Sequence, residues 1–133
     1  MSLRLLLIIS GGLEALVGVL ALLSPAMVVS LLIGAPVDQL ASVLVRLFGA
    51  GVFSLGLACL QARDDAGSPA GLAVSIGITS YNVLAAVVLI WAAVRLHLGG
   101  LLLWGAGIGH AVVGALFVHG LVDLAKNRCA RQG

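Results

Sequence analysis

The sequence predicts an all-α membrane protein: four transmembrane helices in an up-down bundle, with a short interfacial helix between the first and second. Three observations predict it. The chain of 133 residues is 62% hydrophobic and only 9% charged, with mean hydropathy +1.23. A soluble domain carries about 25% charged residues. The apolar residues fall into runs near 3–23, 39–61, 70–94 and 100–124, each close to the length of about 20 residues that spans a bilayer. Turn chemistry separates the runs: Ser24-Pro25, Gly34-Ala35-Pro36, Arg63-Asp64-Asp65, Gly67-Ser68-Pro69 and Gly99-Gly100.

In the first span, Leu3 to Leu23, Arg4 followed by an apolar run could be taken for a signal peptide with Ser24-Pro25-Ala26 near a cleavage site. Glu14 inside the run and a length equal to the other spans argue for a retained helix. Ser10, Glu14 and Gly18 recur at i, i+4 and i+8 and share a face. Ser24-Pro25 is an N-cap followed by Pro at the first helical position. It opens a short helix at 25–33, too short to span and placed at the interface. Asp38 caps the second span. Arg46, Gly49 or Ala50, Phe53 and Gly56 follow one of its faces. Ser68-Pro69 opens the third span, with Ser75, Thr79 and Asn82 as a polar stripe and Tyr81 about 100° round. The fourth span carries Trp104, Gly105, Gly109, His110 and Gly114, then His119 and Asp123, and leads into a basic tail. With four alternating spans, Arg4, Arg63, Lys126, Arg128 and Arg131 fall on one side and Arg95 on the other. The positive-inside rule puts both termini in the cytoplasm, as in a multi-pass protein of the bacterial inner membrane.

Composition excludes several classes. The net charge is +2 and no basic run points to nucleic acid. Cys59 and Cys129 make no disulfide framework. No Cys/His cluster has metal-ligand spacing, no Gly-rich turn links a strand to a helix, and no cofactor is expected.

Charged and polar residues inside the spans are costly and mark function by default. At about 1.5 Å per residue, Glu14 lies roughly 14 Å below the outer end of its helix, Arg46 roughly 11 Å, Asn82 roughly 14 Å and His110 roughly 17 Å. Four helices thus each bring one strongly polar side chain to a similar depth, and a bundle can converge them. Arg46 stays charged and demands an anion, so Glu14 is its expected partner. The carboxylate and the imidazole make an acid/base pair. Glu14 is the expected base, oriented by Arg46; His110 is the acid; Asn82 holds a water or substrate oxygen. Tyr81, Thr79, Phe53 and Trp104 are the expected substrate-binding residues. The bland alternatives are a structural Glu14–Arg46 lock, a His110 hydrogen bond between helices, and Ser75/Thr79 as helix-helix glue.

The layout resembles the small four-helix bacterial membrane proteins of the DoxX-like group. The likeness is carried by the Ser24-Pro25 to Gly34-Ala35-Pro36 connection and by Val45-Arg46-Leu47-Phe48-Gly49 followed by Phe53-Ser54-Leu55-Gly56-Leu57. It implies the architecture. The Arg/Asn/Glu-rich second helix of the membrane glutathione-transferase family is absent.

The expected function is a membrane-embedded, cofactor-independent enzyme doing acid/base chemistry, isomerisation or epoxide opening and cyclisation, on a small lipophilic substrate in a polar site at the bilayer midplane. Its partners are membrane lipid and that small molecule, and a homo-oligomer is compatible with it. Two alternatives stand beside it: a proton-coupled small-molecule transporter and a structural or accessory membrane subunit.

Overall fold

The computed structural model describes residues 2–132 and is all-helical. The helices are α1 (Leu3–Leu23), α2 (Pro25–Leu32), α3 (Gln39–Ala62), α4 (Pro69–Arg95) and α5 (Leu103–Gln132). All but α2 are long and apolar enough to cross a membrane, the helix set of a multi-pass membrane protein. The Arg131 side chain, counted above in the basic tail, lies outside the described residues.

The helix starts follow local chemistry. Asp38 accepts from Ala41 N at 2.7 Å, Ser68 accepts from Gly71 N at 3.0 Å, and Pro25 and Pro69 occupy first-turn positions. An N-cap oxygen satisfies a backbone donor that has no partner inside the helix. The last helix departs from expectation at both ends. It starts at Leu103, not Gly100, because Gly99-Gly100 is used in a turn and Leu102 N donates to Leu31 O at 2.9 Å. It also runs on through the basic tail to Gln132, where Lys126 and Arg128 suit the negative end of the helix dipole.

Packing is uneven. α1 lies against α3 along a seam in which backbones meet directly. A Cβ on Gly18 would stand 2.5 Å from Phe53 N, one on Gly56 2.6 Å from Ala15 N, and one on Gly49 2.8 Å from Gly18 O. Small residues permit such approach, and in lipid it is van der Waals contact that holds helices together. α4 lies against α5, with Gly107 toward Ile90 and Gly114 toward Val83 at looser distances of 3.2 Å. Contacts of α3 with α4 and of α1 with α5 are sparser.

One end gathers the start of α1, the end of α3, the start of α4 and the end of α5. There Arg4 pairs with Asp64 at 2.8 Å, Arg63 approaches the same carboxylate at 3.3 Å, and Arg128 donates to the Gly67 carbonyl. The Arg4 hydrogen bond holds the Asp64 carboxyl below its usual range. Just inside this end is the core: Leu6 and Leu7 from α1, Cys59 from α3, Ile78 from α4 and Phe117 from α5, none more than 2% exposed. At the opposite end α2 folds across. Gly34 there has φ +74°, a left-handed conformation that glycine adopts without strain. It also lies so near Gly99 and Gly100 that a Cβ would meet their backbone at 3.0 Å.

Candidate functional site

Above the core the helices part around a cavity of about 630 Å³, within the range of small-molecule sites. Its walls are apolar: Leu13, Val17 and Leu20 of α1, Leu84 and Val88 of α4, Val113 of α5. Met27, Val28, Leu31 and Leu32 of α2 roof it, and Phe48 of α3 reaches it. Its polar lining is Ser10, Glu14, Tyr81, Asn82 and His110. The enzyme reading calls for a closed apolar pocket beyond the polar level; the apolar space is present, but it is not closed. It opens sideways as well, since Leu13 is 54% and Leu84 64% exposed.

The polar groups come from three helices. Ser10 and Glu14 share one face of α1, as the i, i+4 spacing requires, and Glu14 is only 6% exposed. Gly18 of the same expected face turns instead to α3. Tyr81 and Glu14 line the same cavity. The Tyr81 ring stands nearly perpendicular to the His110 imidazole, centroids 5.6 Å apart at 87°. His110 Nδ1 lies 2.9 Å from Asn82 Oδ1. Asn82 Nδ2 donates to the Ile78 carbonyl one turn back, at 2.8 Å. Of the polar stripe on α4, only Asn82 reaches another helix by a side-chain hydrogen bond. Thr79 donates to its own helix at the Ser75 carbonyl, 2.6 Å away. Ser75 Oγ is fully buried without a partner among the described residues, and nothing in the structure explains it.

Glu14, Asn82, His110 and Tyr81 thus come together, and the other expected site residues stand elsewhere. Arg46 is exposed and donates to the Leu22 carbonyl at the end of α1. The Glu14–Arg46 pair does not form, and the physical reason is register. Gly49 meets Gly18 and Ala21, and Gly56 meets Gly11 and Ala15. That slides α3 past the end of α1, so Arg46 sits beside Leu22, roughly 12 Å along α1 from Glu14. Phe53 lies in the α1–α3 seam, its backbone against Gly18. Trp104 is 52% exposed. Thr79 bonds within α4 as described. The residues that sequence reasoning missed are Ser10, Phe48 and the α2 side chains Met27 and Leu31. Ser10 carried a signal, its i, i+4 relation to Glu14.

The lining supplies a carboxyl, a phenol, an imidazole and an amide around apolar space. That set can bind one polar head of a lipophilic molecule and move a proton on it. Among the described residues no group of three His, Cys, Asp or Glu could hold a metal ion. No family model, curated protein or solved structure matches the chain.

Proposed function

We propose that this protein is a multi-pass enzyme of the bacterial inner membrane that takes a small lipophilic molecule from the bilayer and performs cofactor-independent acid/base chemistry on it, isomerisation or epoxide opening and cyclisation. The observation that carries the reading is the cavity itself. Its walls are apolar and its polar groups, Glu14, Tyr81, Asn82 and His110, converge from three helices. Intramembrane polar groups are costly, and a structural lock would need two of them, not four around an open space. Glu14 and His110 are the proton-handling pair, Tyr81 a second donor and Asn82 the group that holds the imidazole. Four spans running alternately up and down, with both termini cytoplasmic, belong to the same proposal. The basic Arg4, Arg63, Lys126 and Arg128 at one end support it. So does the likeness to the DoxX-like group, at the level of architecture.

One observation favours a second reading, a proton-coupled carrier. Arg46 stands away from Glu14, so no permanent cation locks the carboxylate. Against it stands the apolar core between the cavity and the end that holds the termini, since a carrier must open to both sides.

Native mass spectrometry of mildly extracted protein tests the proposal. The wild type is expected to retain a defined small lipophile and Glu14→Gln to lose it. Incubation with membrane lipid extract is then expected to convert that molecule only with the wild type. Retention without conversion would move the assignment to the carrier.

A further inference from the structure

The hydrogen bonds of Asn82 fix more than its own position. A backbone carbonyl only accepts, so the amide atom 2.8 Å from the Ile78 oxygen is the nitrogen. The amide oxygen is therefore the atom 2.9 Å from His110 Nδ1. That oxygen also only accepts, so the proton of the contact belongs to Nδ1. A neutral imidazole carries one N–H, which leaves Nε2 with its lone pair. Which nitrogen of a histidine is protonated is set by the bond the other makes. The Tyr81 ring, edge to face with the imidazole at 5.6 Å, hinders the ring from turning over. Among the described residues Nε2 has no hydrogen-bond partner, and His110 lines the cavity.

We propose that Asn82 is a positioning residue that holds His110 as the Nδ1–H tautomer, and that Nε2 accordingly accepts a hydroxyl of the lipophilic ligand in preference to a carbonyl oxygen. The inference rests on the cavity being the ligand site. It reverses the role that spacing suggested, because a neutral Nε2 takes a proton from the ligand hydroxyl, the O–H electron pair staying on the ligand oxygen, and does not give one. On taking it, the ring keeps its Nδ1–H on Asn82, so the same contact serves both charge states.

The test is ¹⁵N NMR of histidine-labelled protein in phospholipid nanodiscs at about pH 8, above the ordinary imidazole range. The His110 signals are identified by their loss in His110→Gln. The wild type is expected to show a protonated Nδ1 and a bare Nε2; the opposite pattern, or an imidazolium, overturns the proposal whatever becomes of the variants. Asn82→Asp, whose carboxylate only accepts, is expected to keep the tautomer and Asn82→Leu to lose it. An unchanged tautomer in Asn82→Leu overturns the positioning role. Titration with 1-decanol is expected to move the Nε2 signal and to saturate about fivefold more tightly than 2-decanone, the worth of one hydrogen bond. Equal or tighter ketone binding overturns the ligand half. None of these readouts needs turnover. A correct tautomer in a protein that converts nothing refutes the enzyme reading alone, and a wrong tautomer beside Glu14-dependent conversion refutes this inference alone.

Discussion

Arg46 and Glu14 show why similar depth does not make a contact. Counting down from helix ends treats those ends as level, but the glycine seam sets α3 against α1 by its own register. Arg46 then has a long side chain with which to reach the last carbonyls of α1, where a cation is favourable. Glu14, Asn82 and His110 were legible because each is a strongly polar residue well inside a long apolar span. Removing the Asn82 amide should be felt beyond the site. Asn82→Leu removes the side-chain hydrogen bond that joins α4 to His110 of α5, and a stability loss of about 0.5–1.5 kcal/mol is expected from it, checked by the detergent-denaturation midpoint against the wild type. The glycines of α3 divide equally sharply. Gly56→Val would drive a side chain into Ala15 and Gly11 and is expected to cost at least about 2 kcal/mol. Gly51→Ala faces open space and is expected to be neutral or to gain up to about 1 kcal/mol from helix propensity. Equal melting shifts for the two would refute the seam.

At the scale of elements, the boundaries were readable where punctuation was strong. Asp38 and Ser68-Pro69 mark starts that the structure keeps to within a residue. The start of α5 was not readable, because Gly99-Gly100 marks a turn without fixing where the next helix begins, and how far the turn extends depends on α2. Gly100 lies so close to that helix that a Cβ would sit 2.4 Å from Leu31 O, a tertiary contact no local pattern encodes. Gly100→Val is therefore expected to unseat α2. Hydrogen exchange should rise in residues 25–32 and stay unchanged at Leu6, Leu7 and Phe117. Uniformly faster exchange would mean global destabilisation and would count against α2 as a separable roof.

The whole molecule is held at one end by charge and by an apolar core, and at the other by backbone contacts of α2. The Asp64 carboxyl is held below its ordinary value of 3.8, first by the Arg4 hydrogen bond. A depressed carboxylate contributes stability that is complete above its unfolded pKa and is lost as pH falls through the folded one. The contribution should therefore be intact at neutral pH and fade below about pH 4. Asp64→Asn is expected to remove that acid dependence, and added salt to weaken the pair, since both side chains are exposed. Orientation is open to direct measurement. Cys129 is exposed and Cys59 buried, so an impermeant thiol reagent applied outside intact cells should miss both and label Leu101→Cys. Labelling of Cys129 from outside would reverse the proposed topology.

The core of Leu6, Leu7, Cys59, Ile78 and Phe117 makes the cavity a cul-de-sac. A molecule that enters it from the lipid, as proposed above, must leave to the lipid again, because the packed core bars the way onward. Under the proposed enzyme reading, product leaves on the side from which substrate arrives, and turnover is limited by how quickly the lipid-facing opening clears. Product should then compete with substrate, and the rate should follow the fluidity of the surrounding lipid more closely than any property of the water on either side.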